Sequence, residues 1–308
     1  MTVHAPHGSL PALVTPLTPQ GEIHDDDLAR LIDRAIDDGA SGVLVAGSTG
    51  EGALLEPEQR VRVTRIARTV LDALAATGGQ GSATARPLLL AGASGASVRA
   101  LEADIARLAD AGADLVLALA PSTYPLETHE LVALHLDVAE RAPIDTLVYH
   151  IPQLTGSSLD PEGIRQLASH PRIVGMKDSS PDAERRSRFL EVARSLDGFE
   201  LLSGHAPSLS AALTAGASGS ITAIANVRQR QVVALHAAIA KGDHDGAANR
   251  QKALTATSES LAGVGASLPA TLKAALQLEG LITERWCVPP LGSVAPNRLD
   301  RVRTALLR

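Results

Sequence analysis

Short apolar runs alternate along the chain with longer stretches in which apolar residues recur every three or four positions. The runs are rich in Val, Leu and Ile and are bounded by Gly, Pro or polar residues, which is typical of buried β-strands. This pattern predicts eight strands, at residues 10–17, 42–46, 87–92, 114–120, 146–151, 173–176, 200–203 and 220–225.

Each predicted strand is followed by an amphipathic stretch that predicts a helix. In residues 25–38, for example, Leu28, Leu31, Ile32 and Ala35 fall on one face at helical spacing. The remaining helices are predicted at residues 56–75, 98–111, 127–141, 161–169, 183–195, 207–215 and 227–240.

Strand–helix units with short links favour a parallel sheet with right-handed crossovers. Eight such units is the number that closes a (β/α)₈ TIM barrel. A doubly wound open sheet is the alternative fold, but it usually needs fewer units and often carries a Gly-rich fingerprint after its first strand. The first strand here runs instead into the Pro-flanked Thr15, without such a fingerprint.

The strand pattern stops after the eighth helix. Further helices are predicted at residues 244–263, 268–280 and 298–307, joined by the Pro-rich segment 288–296. We therefore expect a barrel over residues 8–241 and a C-terminal helical extension of the same domain over residues 242–308. The low-complexity segment 77–86 is expected to be a mobile surface loop.

Composition narrows the functional classes. Aromatic residues make up only 2% of the chain and the formal net charge is −6, which disfavours nucleic-acid and membrane partners. Cys287 is the single cysteine, and the ten His residues lack metal-ligand spacing, so we expect no disulfide, metal or organic cofactor. With no signal-peptide pattern and no long apolar span, a cytoplasmic location is expected.

Lys177 directly follows the otherwise apolar run 173–176. Reactive groups in TIM barrels lie at the carboxyl ends of the strands. Desolvation at the barrel mouth disfavours the ammonium form, and a neutral amine attacks ketones. The alternative is a structural lysine that extends to solvent or pairs with Asp178.

Two neighbouring features add candidate chemistry. Tyr149 ends the preceding strand, where its phenol could relay protons or simply bond to the backbone at the edge of the core. Residues 47–51, with the sequence GSTGE, offer small side chains, hydroxyls and free backbone N–H groups that suit a carboxylate. The alternative is an ordinary polar turn after a strand.

These motifs resemble the dihydrodipicolinate synthase and N-acetylneuraminate lyase family of pyruvate-type class I aldolases. The resemblance rests on LPALVTP at 10–16, GSTGE at 47–51, YHIPQLTG at 149–156, GMKDS at 175–179, LSG at 202–204 and ANV at 225–227. The motifs occur in order across about residues 8–280.

The resemblance implies a (β/α)₈ barrel with a C-terminal helical extension, often a homotetramer. It implies that Lys177 forms the Schiff base and that Tyr149 relays protons. Ser48 and Thr49 resemble the hydroxyl pair of the catalytic site beside Tyr149. The pocket that binds the 2-oxo acid would further include Gly47, Gly50, Thr15, Leu154, Ser179, Gly204 and Ala223.

The chain departs from the family pattern at two places. Lysine-pathway synthases have an Arg two residues after the Pro of the YxxP motif, whereas this chain has Leu154. Those synthases also have a Tyr pair after strand 4, whereas this chain has Thr123 at the usual place and Tyr124 one residue late. The stretch 170–179 is similar to that of 4-hydroxy-2-oxoglutarate aldolases and some 2-keto-3-deoxy sugar-acid aldolases, in which the Ser equivalent to Ser179 contacts the distal part of the substrate.

The expected function is a Schiff-base-forming lyase that cleaves or forms a C–C bond between pyruvate and an aldehyde. A 2-keto-3-deoxy sugar acid or 4-hydroxy-2-oxoglutarate would be the substrate. The alternatives are a dihydrodipicolinate (4-hydroxy-tetrahydrodipicolinate) synthase, a keto-deoxy acid dehydratase and a non-catalytic relative that binds 2-oxo acids. A sugar-phosphate isomerase is a weaker case, because residues 204–207 make a poor phosphate loop.

Overall fold

Parallel strands form the centre of the molecule in the computed structural model, which describes residues 6–76 and 86–307. Almost all of the loop predicted at residues 77–86 lies outside the described residues. The eight strands within the described ranges are β1 (Gly8–Pro11), β2 (Gly42–Val45), β3 (Leu88–Ala93), β4 (Leu115–Leu119), β5 (Thr146–His150), β6 (Ile173–Asp178), β7 (Glu200–Ser203) and β8 (Gly219–Thr222).

The sheet closes on itself and forms a barrel. Each strand from β2 to β7 pairs in parallel with the next one, and β8 pairs in parallel with β1. The ring is completed between β1 and β2, where Ser41 N–H donates to Ser9 O at 3.0 Å and Leu13 N–H donates to Leu44 O at 2.9 Å. The TIM-barrel prediction is therefore confirmed, and the open doubly wound sheet is excluded.

Side-chain alternation along the strands separates an inner core from an outer one. On β2, Leu44 belongs to the cluster that fills the barrel, whereas Val43 and Val45 pack outward against the helices. Because successive strand residues point to opposite faces, this is the arrangement expected of strands buried on both sides. The barrel is consequently a packed core, and the site of a TIM barrel is expected at the carboxyl ends of its strands.

The helices surround the barrel in the predicted order. They are α1 (Asp25–Asp37), α2 (Pro57–Ala76), α3 (Val98–Asp110), α4 (Thr128–Arg141), α5 (Pro152–Thr155), α6 (Pro161–Ala168), α7 (Ala183–Ala193), α8 (Leu209–Thr214) and α9 (Ala225–Ala240). The single turn α5 is not predicted by the periodicity, which a helix this short cannot show. Pro152 begins it, and Gly156 ends it in the left-handed conformation with φ 70°.

The C-terminal extension consists of α10 (His244–Ala262), α11 (Leu268–Leu278) and α12 (Leu299–Leu306). Its apolar faces share one core cluster with α9, and α10 packs along α9. The helical extension is therefore confirmed. Within the described ranges, no helix combines the length and apolar character needed to cross a membrane.

Three strands have a boundary that differs from the prediction by more than one residue. The first strand lies at Gly8–Pro11, not at 10–17, because beyond Pro11 the pairing continues only as isolated contacts such as the bridge between Ala12 and Leu44. The eighth ends at Thr222, and Ala225 already begins α9. The sixth continues through Lys177 and Asp178, whose backbones pair with β5 and β7, so Lys177 lies within the strand and not after it.

Candidate active site

Lys177 and Tyr149 lie side by side at the carboxyl end of the barrel. They occupy the same register position on the paired strands β5 and β6, and so point to the same face. Lys177 Nζ lies 4.3 Å from the centroid of the Tyr149 ring. Only 4% of Lys177 and 7% of Tyr149 are exposed, so the amine and the phenol meet in a site largely shielded from solvent.

The environment of Tyr149 shifts its ionisation. Burial raises the pKa of the phenol, but the charge of Lys177 and hydrogen bonds with Ser48, Ser179 and Lys177 outweigh that effect. The net result is a pKa below the ordinary value. A phenol that gives up its proton more readily than usual, next to an amine, is suited to proton transfer.

The loop formed by residues 47–51 turns sharply, and the backbone is strained both just before the loop and at its last residue. Ala46 has φ 51° and Glu51 has φ 59°, both in the left-handed region that non-glycine residues rarely adopt. Such conformations persist only where the surroundings hold them in place, and they are frequent at binding sites. Ser48 from this loop forms a hydrogen bond with the Tyr149 phenol, and the next residue, Thr49, is buried.

Thr15, in the segment that follows β1, supports the loop. Its hydroxyl donates to the Gly50 carbonyl at 2.6 Å, which holds the turn from below. A methyl group on Gly50 would lie 2.9 Å from Leu13 O, so the close approach of the backbones requires glycine. A small cavity lies between this loop and the barrel, and Gly47, Ser48 and Tyr149 are among the residues that line it.

Gly204 forms the opposite wall of the site. Its N–H donates to Asp178 O at 2.7 Å, which brings the end of β7 against the end of β6. A methyl group here would lie 2.0 Å from Ser179 Oγ and 2.8 Å from Lys177 Cε. Both neighbours are atoms of candidate reactive side chains, so glycine keeps the space that they occupy.

Gly204→Ala is therefore expected to affect catalysis more than folding. The added methyl group can be accommodated by movement of Lys177 and Ser179, but such displacements of reacting groups can lower kcat/KM by about 10²-fold. Steady-state kinetics and thermal denaturation measure the two effects separately. Gly292→Ala is the matched control, because among the described residues its added methyl group meets nothing within 4 Å apart from its own chain neighbours. Equal kinetic effects of the two substitutions would contradict the assignment.

Leu154 and Tyr124 are largely exposed to solvent, whereas Ala223 is partly buried. Leu154 on α5 is 60% exposed and belongs to the rim. Ala223 follows β8, and its carbonyl accepts a hydrogen bond from the Asn226 side chain at 2.8 Å. Tyr124 is 76% exposed, so within one chain its phenol is not enclosed with Tyr149.

A polar network that was not predicted from the sequence lies behind Lys177 and Tyr149. His150 Nδ1 lies 2.8 Å from Asp178 Oδ1, and His150 Nε2 lies 3.1 Å from Ser158 Oγ. Both His150 and Asp178 are buried on the outer side of the barrel, so His150 is neither on the rim nor in contact with the Lys177 side of the sheet. The network clamps β5 to β6, which fixes the register of Tyr149 against Lys177.

His205 follows Gly204 at the mouth of the barrel. It is partly buried, and its Nδ1 lies 2.7 Å from Ser208 Oγ. Burial, reinforced by the charge of Arg186 and opposed by Asp178, lowers the pKa of its imidazole. His205 is therefore biased towards the neutral form at the entrance to the site.

Comparison with known proteins identifies the family. The sequence model of the dihydrodipicolinate synthetase family matches residues 5–308. The chain belongs to this family. Its membership confirms the resemblance carried by the sequence motifs, and it makes the protein a lyase of the class I aldolase type.

Relatives of this dihydrodipicolinate synthetase family member match over most of its length. A 4-hydroxy-tetrahydrodipicolinate synthase of Gluconacetobacter diazotrophicus is 32% identical and covers 97% of the chain and 95% of its own length. One of Nitrosococcus oceani is 34% identical over 73% of each chain. The crystal structure of YagE of E. coli K12, in complex with pyruvate, matches with a TM-score of 0.89, 25% identity and coverage of 98% of this chain and 97% of that one.

Proposed function

We propose that Lys177 forms a Schiff base with pyruvate and that the enzyme joins this pyruvate to an aldehyde. The proposal rests on the buried contact between Lys177 and Tyr149. Ser48 and Ser179 form hydrogen bonds with the phenol of Tyr149. A shielded amine beside a proton-transferring group is what carbinolamine formation requires.

The proposed reaction begins with attack of the Lys177 amine on the ketone carbon of pyruvate. Loss of water gives an iminium, and loss of a proton from the pyruvate methyl group gives an enamine. The enamine carbon then bonds to the aldehyde carbon, whose oxygen takes up a proton. Hydrolysis of the new iminium restores Lys177. The Schiff base itself is the electron sink, so we propose that no metal or organic cofactor takes part.

Tyr149 and the 47–51 loop have separate roles in this scheme. Tyr149 carries the protons that leave and enter at the carbinolamine and at the aldehyde oxygen. The hydroxyl groups of Ser48 and Thr49, with the backbone N–H groups of the loop, bind the carboxylate of pyruvate. These contacts hold the ketone carbon towards the Lys177 amine.

The aldehyde we propose first is aspartate semialdehyde. The full-length relative from Gluconacetobacter diazotrophicus is named a 4-hydroxy-tetrahydrodipicolinate synthase, which favours condensation over the cleavage reactions expected from the sequence motifs. Leu154 favours the second candidate, aldol cleavage of a 2-keto-3-deoxy sugar acid or 4-hydroxy-2-oxoglutarate. Leu154 stands where the resemblance places an Arg for the second carboxylate of the synthase reaction, and it offers no charge there.

A substrate comparison with the purified protein tests this proposal. Condensation is measured with pyruvate and aspartate semialdehyde, and cleavage is measured as pyruvate released from each 2-oxo acid. We expect kcat/KM for condensation to exceed that for cleavage by at least about tenfold, a difference of roughly 1.4 kcal/mol in transition-state binding. If kcat/KM for cleavage exceeded that for condensation, aldol cleavage would become the proposed function. Absence of both reactions would contradict the function itself.

We also propose a cytoplasmic homo-oligomer, a tetramer or a dimer. Tyr124 supports this proposal, because a large aromatic side chain that is 76% exposed beside the barrel mouth is suited to burial against another subunit. Light scattering coupled to gel filtration measures the assembly directly. A monomer at enzyme-assay concentrations would contradict this proposal without affecting the proposed chemistry.

A further inference from the structure

A buried ion pair connects the 47–51 loop to the C-terminal extension. Glu51 Oε1 lies 2.5 Å from Lys273 Nζ on α11, and both side chains are 0% exposed. Lys273 Nζ also donates to Trp286 O at 2.7 Å, and Val288 N–H donates to Glu51 Oε2 at 2.6 Å. These contacts close a ring among the loop, α11 and the segment 286–288.

The buried surroundings of these contacts make a single unpaired charge unfavourable. Cys287 lies between Trp286 and Val288, and burial raises the pKa of its thiol to about 11, with Lys273 opposing that effect and Glu51 adding to it. In such surroundings each member of the ion pair depends on the other. Buried ion pairs are nevertheless weak sources of stability, because desolvation offsets their attraction and apolar replacements are often equally stable. Stability alone therefore gives little reason for a charged pair at this position.

The position of Glu51 suggests a second role. Its side chain is held by the extension, while its own N–H donates to Ser48 O at 3.2 Å. Ser48 in turn bonds to the Tyr149 phenol. Because Glu51 is held at φ 59°, release of its side chain would let the backbone relax and would shift Ser48 and Thr49.

We propose that Glu51 and Lys273 are positioning residues that hold the 47–51 loop in the shape that binds the carboxylate of the 2-oxo acid. This inference rests on the proposed function. It gives the C-terminal extension a part in substrate binding, although the extension contributes no residue to the reactive pair. Lys273 acts here through its charge on Glu51 and not as a nucleophile.

Three variants separate positioning from simple structural support. Lys273→Met removes one charge and leaves the other buried, Glu51→Gln removes the carboxylate but keeps an acceptor for Val288 N–H, and the double variant removes both charges. The measurements are Tm, kcat, KM for pyruvate, and the pyruvate concentration that half-saturates borohydride trapping on Lys177. Glu279→Gln is the control, because it breaks the 3.6 Å pair with Arg228 at the end of α11 without touching the loop.

We expect KM for pyruvate to rise at least about tenfold in Lys273→Met and Glu51→Gln, with a smaller change in kcat. In the double variant Tm should recover towards the native value, whereas KM should stay high. A native KM in the well-folded double variant would overturn the proposal. The proposal would also be overturned if KM rose as Tm fell in the Glu279→Gln control, because loss of stability alone would then raise KM.

Two further results keep the test decisive. If Lys273→Met does not fold, Glu51→Gln decides alone, since it preserves the size of the side chain and the bond to Val288: a native KM overturns the proposal. If the unmodified protein forms no pyruvyl adduct at all, the proposed function fails first. An adduct that forms with native affinity in every variant would instead overturn only the positioning role.

Discussion

Borohydride reduction in the presence of pyruvate is expected to fix a stable adduct on Lys177 and to abolish turnover. The iminium is reduced to a secondary amine that hydrolysis cannot reverse, so activity should fall in step with labelling. Lys177→Met should remove both the adduct and activity, with a loss in kcat of at least about 10⁴-fold. Methionine is chosen because Lys177 is only 4% exposed and a neutral unbranched side chain can pack against the Tyr149 ring.

The chain supplies its own controls for this experiment, since it contains four lysines. Lys273 is as buried as Lys177, but its amine is bound by Glu51 and Trp286 O, so peptide mapping should find it unlabelled. Lys241 and Lys252 report nonspecific labelling at the surface. An adduct spread over all four lysines, or a folded Lys177→Met variant that keeps native turnover, would contradict the Schiff-base assignment.

The proximity of Lys177 and Tyr149 could be predicted because two independent regularities agree on it. Lys177 and Tyr149 each end an apolar run, and consecutive strands of a βα barrel lie side by side. Because side chains alternate between the two faces of a strand, the direction of Tyr149 and Lys177 also indicates that of the residues that follow them. The prediction did not use this alternation. If Tyr149 and Lys177 point inward, His150 and Asp178 must point outward towards the helices, where the structure places them.

The support of the 47–51 loop could not be predicted in the same way. Lys273 lies in the apolar helix α11, which indicates a buried partner but does not say which one. Glu51 is distant in sequence, and its pairing depends on how the extension folds back over the barrel mouth. The predicted end of β1 was wrong for a related reason, because Ala12 to Val14 are apolar and buried like strand residues, yet only isolated contacts join them to their neighbours. Burial alone therefore does not define a strand.

Tyr149→Phe is expected to lower kcat by about 10²- to 10³-fold, the size typical of a lost proton-transfer group. Phenylalanine keeps the ring that lies 4.3 Å from Lys177 Nζ, so packing is preserved and only the hydroxyl is removed. KM for pyruvate should change less than kcat, because the 47–51 loop still provides its carboxylate contacts. A normal kcat in this variant would show that another group moves the protons.

The pH dependence of kcat gives the second readout for Tyr149. Lys177 and the hydrogen bonds to Ser48 and Ser179 lower the pKa of the phenol despite the opposing effect of burial. The proton-accepting phenolate therefore becomes populated below the ordinary value of about 10, and a limb of the rate profile that rises with pH should lie in that range. This limb should disappear in Tyr149→Phe. A limb that remains unchanged would assign it to a different group.

Ser48→Ala tests whether the serine acts on catalysis through the phenol. On its own it should lower kcat by roughly tenfold, since it removes a hydrogen bond that favours the phenolate. In the Tyr149→Phe background it should leave kcat almost unchanged, because the group that it tunes is gone. KM should still rise in both backgrounds if Ser48 also binds the carboxylate. Additive losses in kcat would mean that Ser48 contacts the reacting atoms independently of Tyr149.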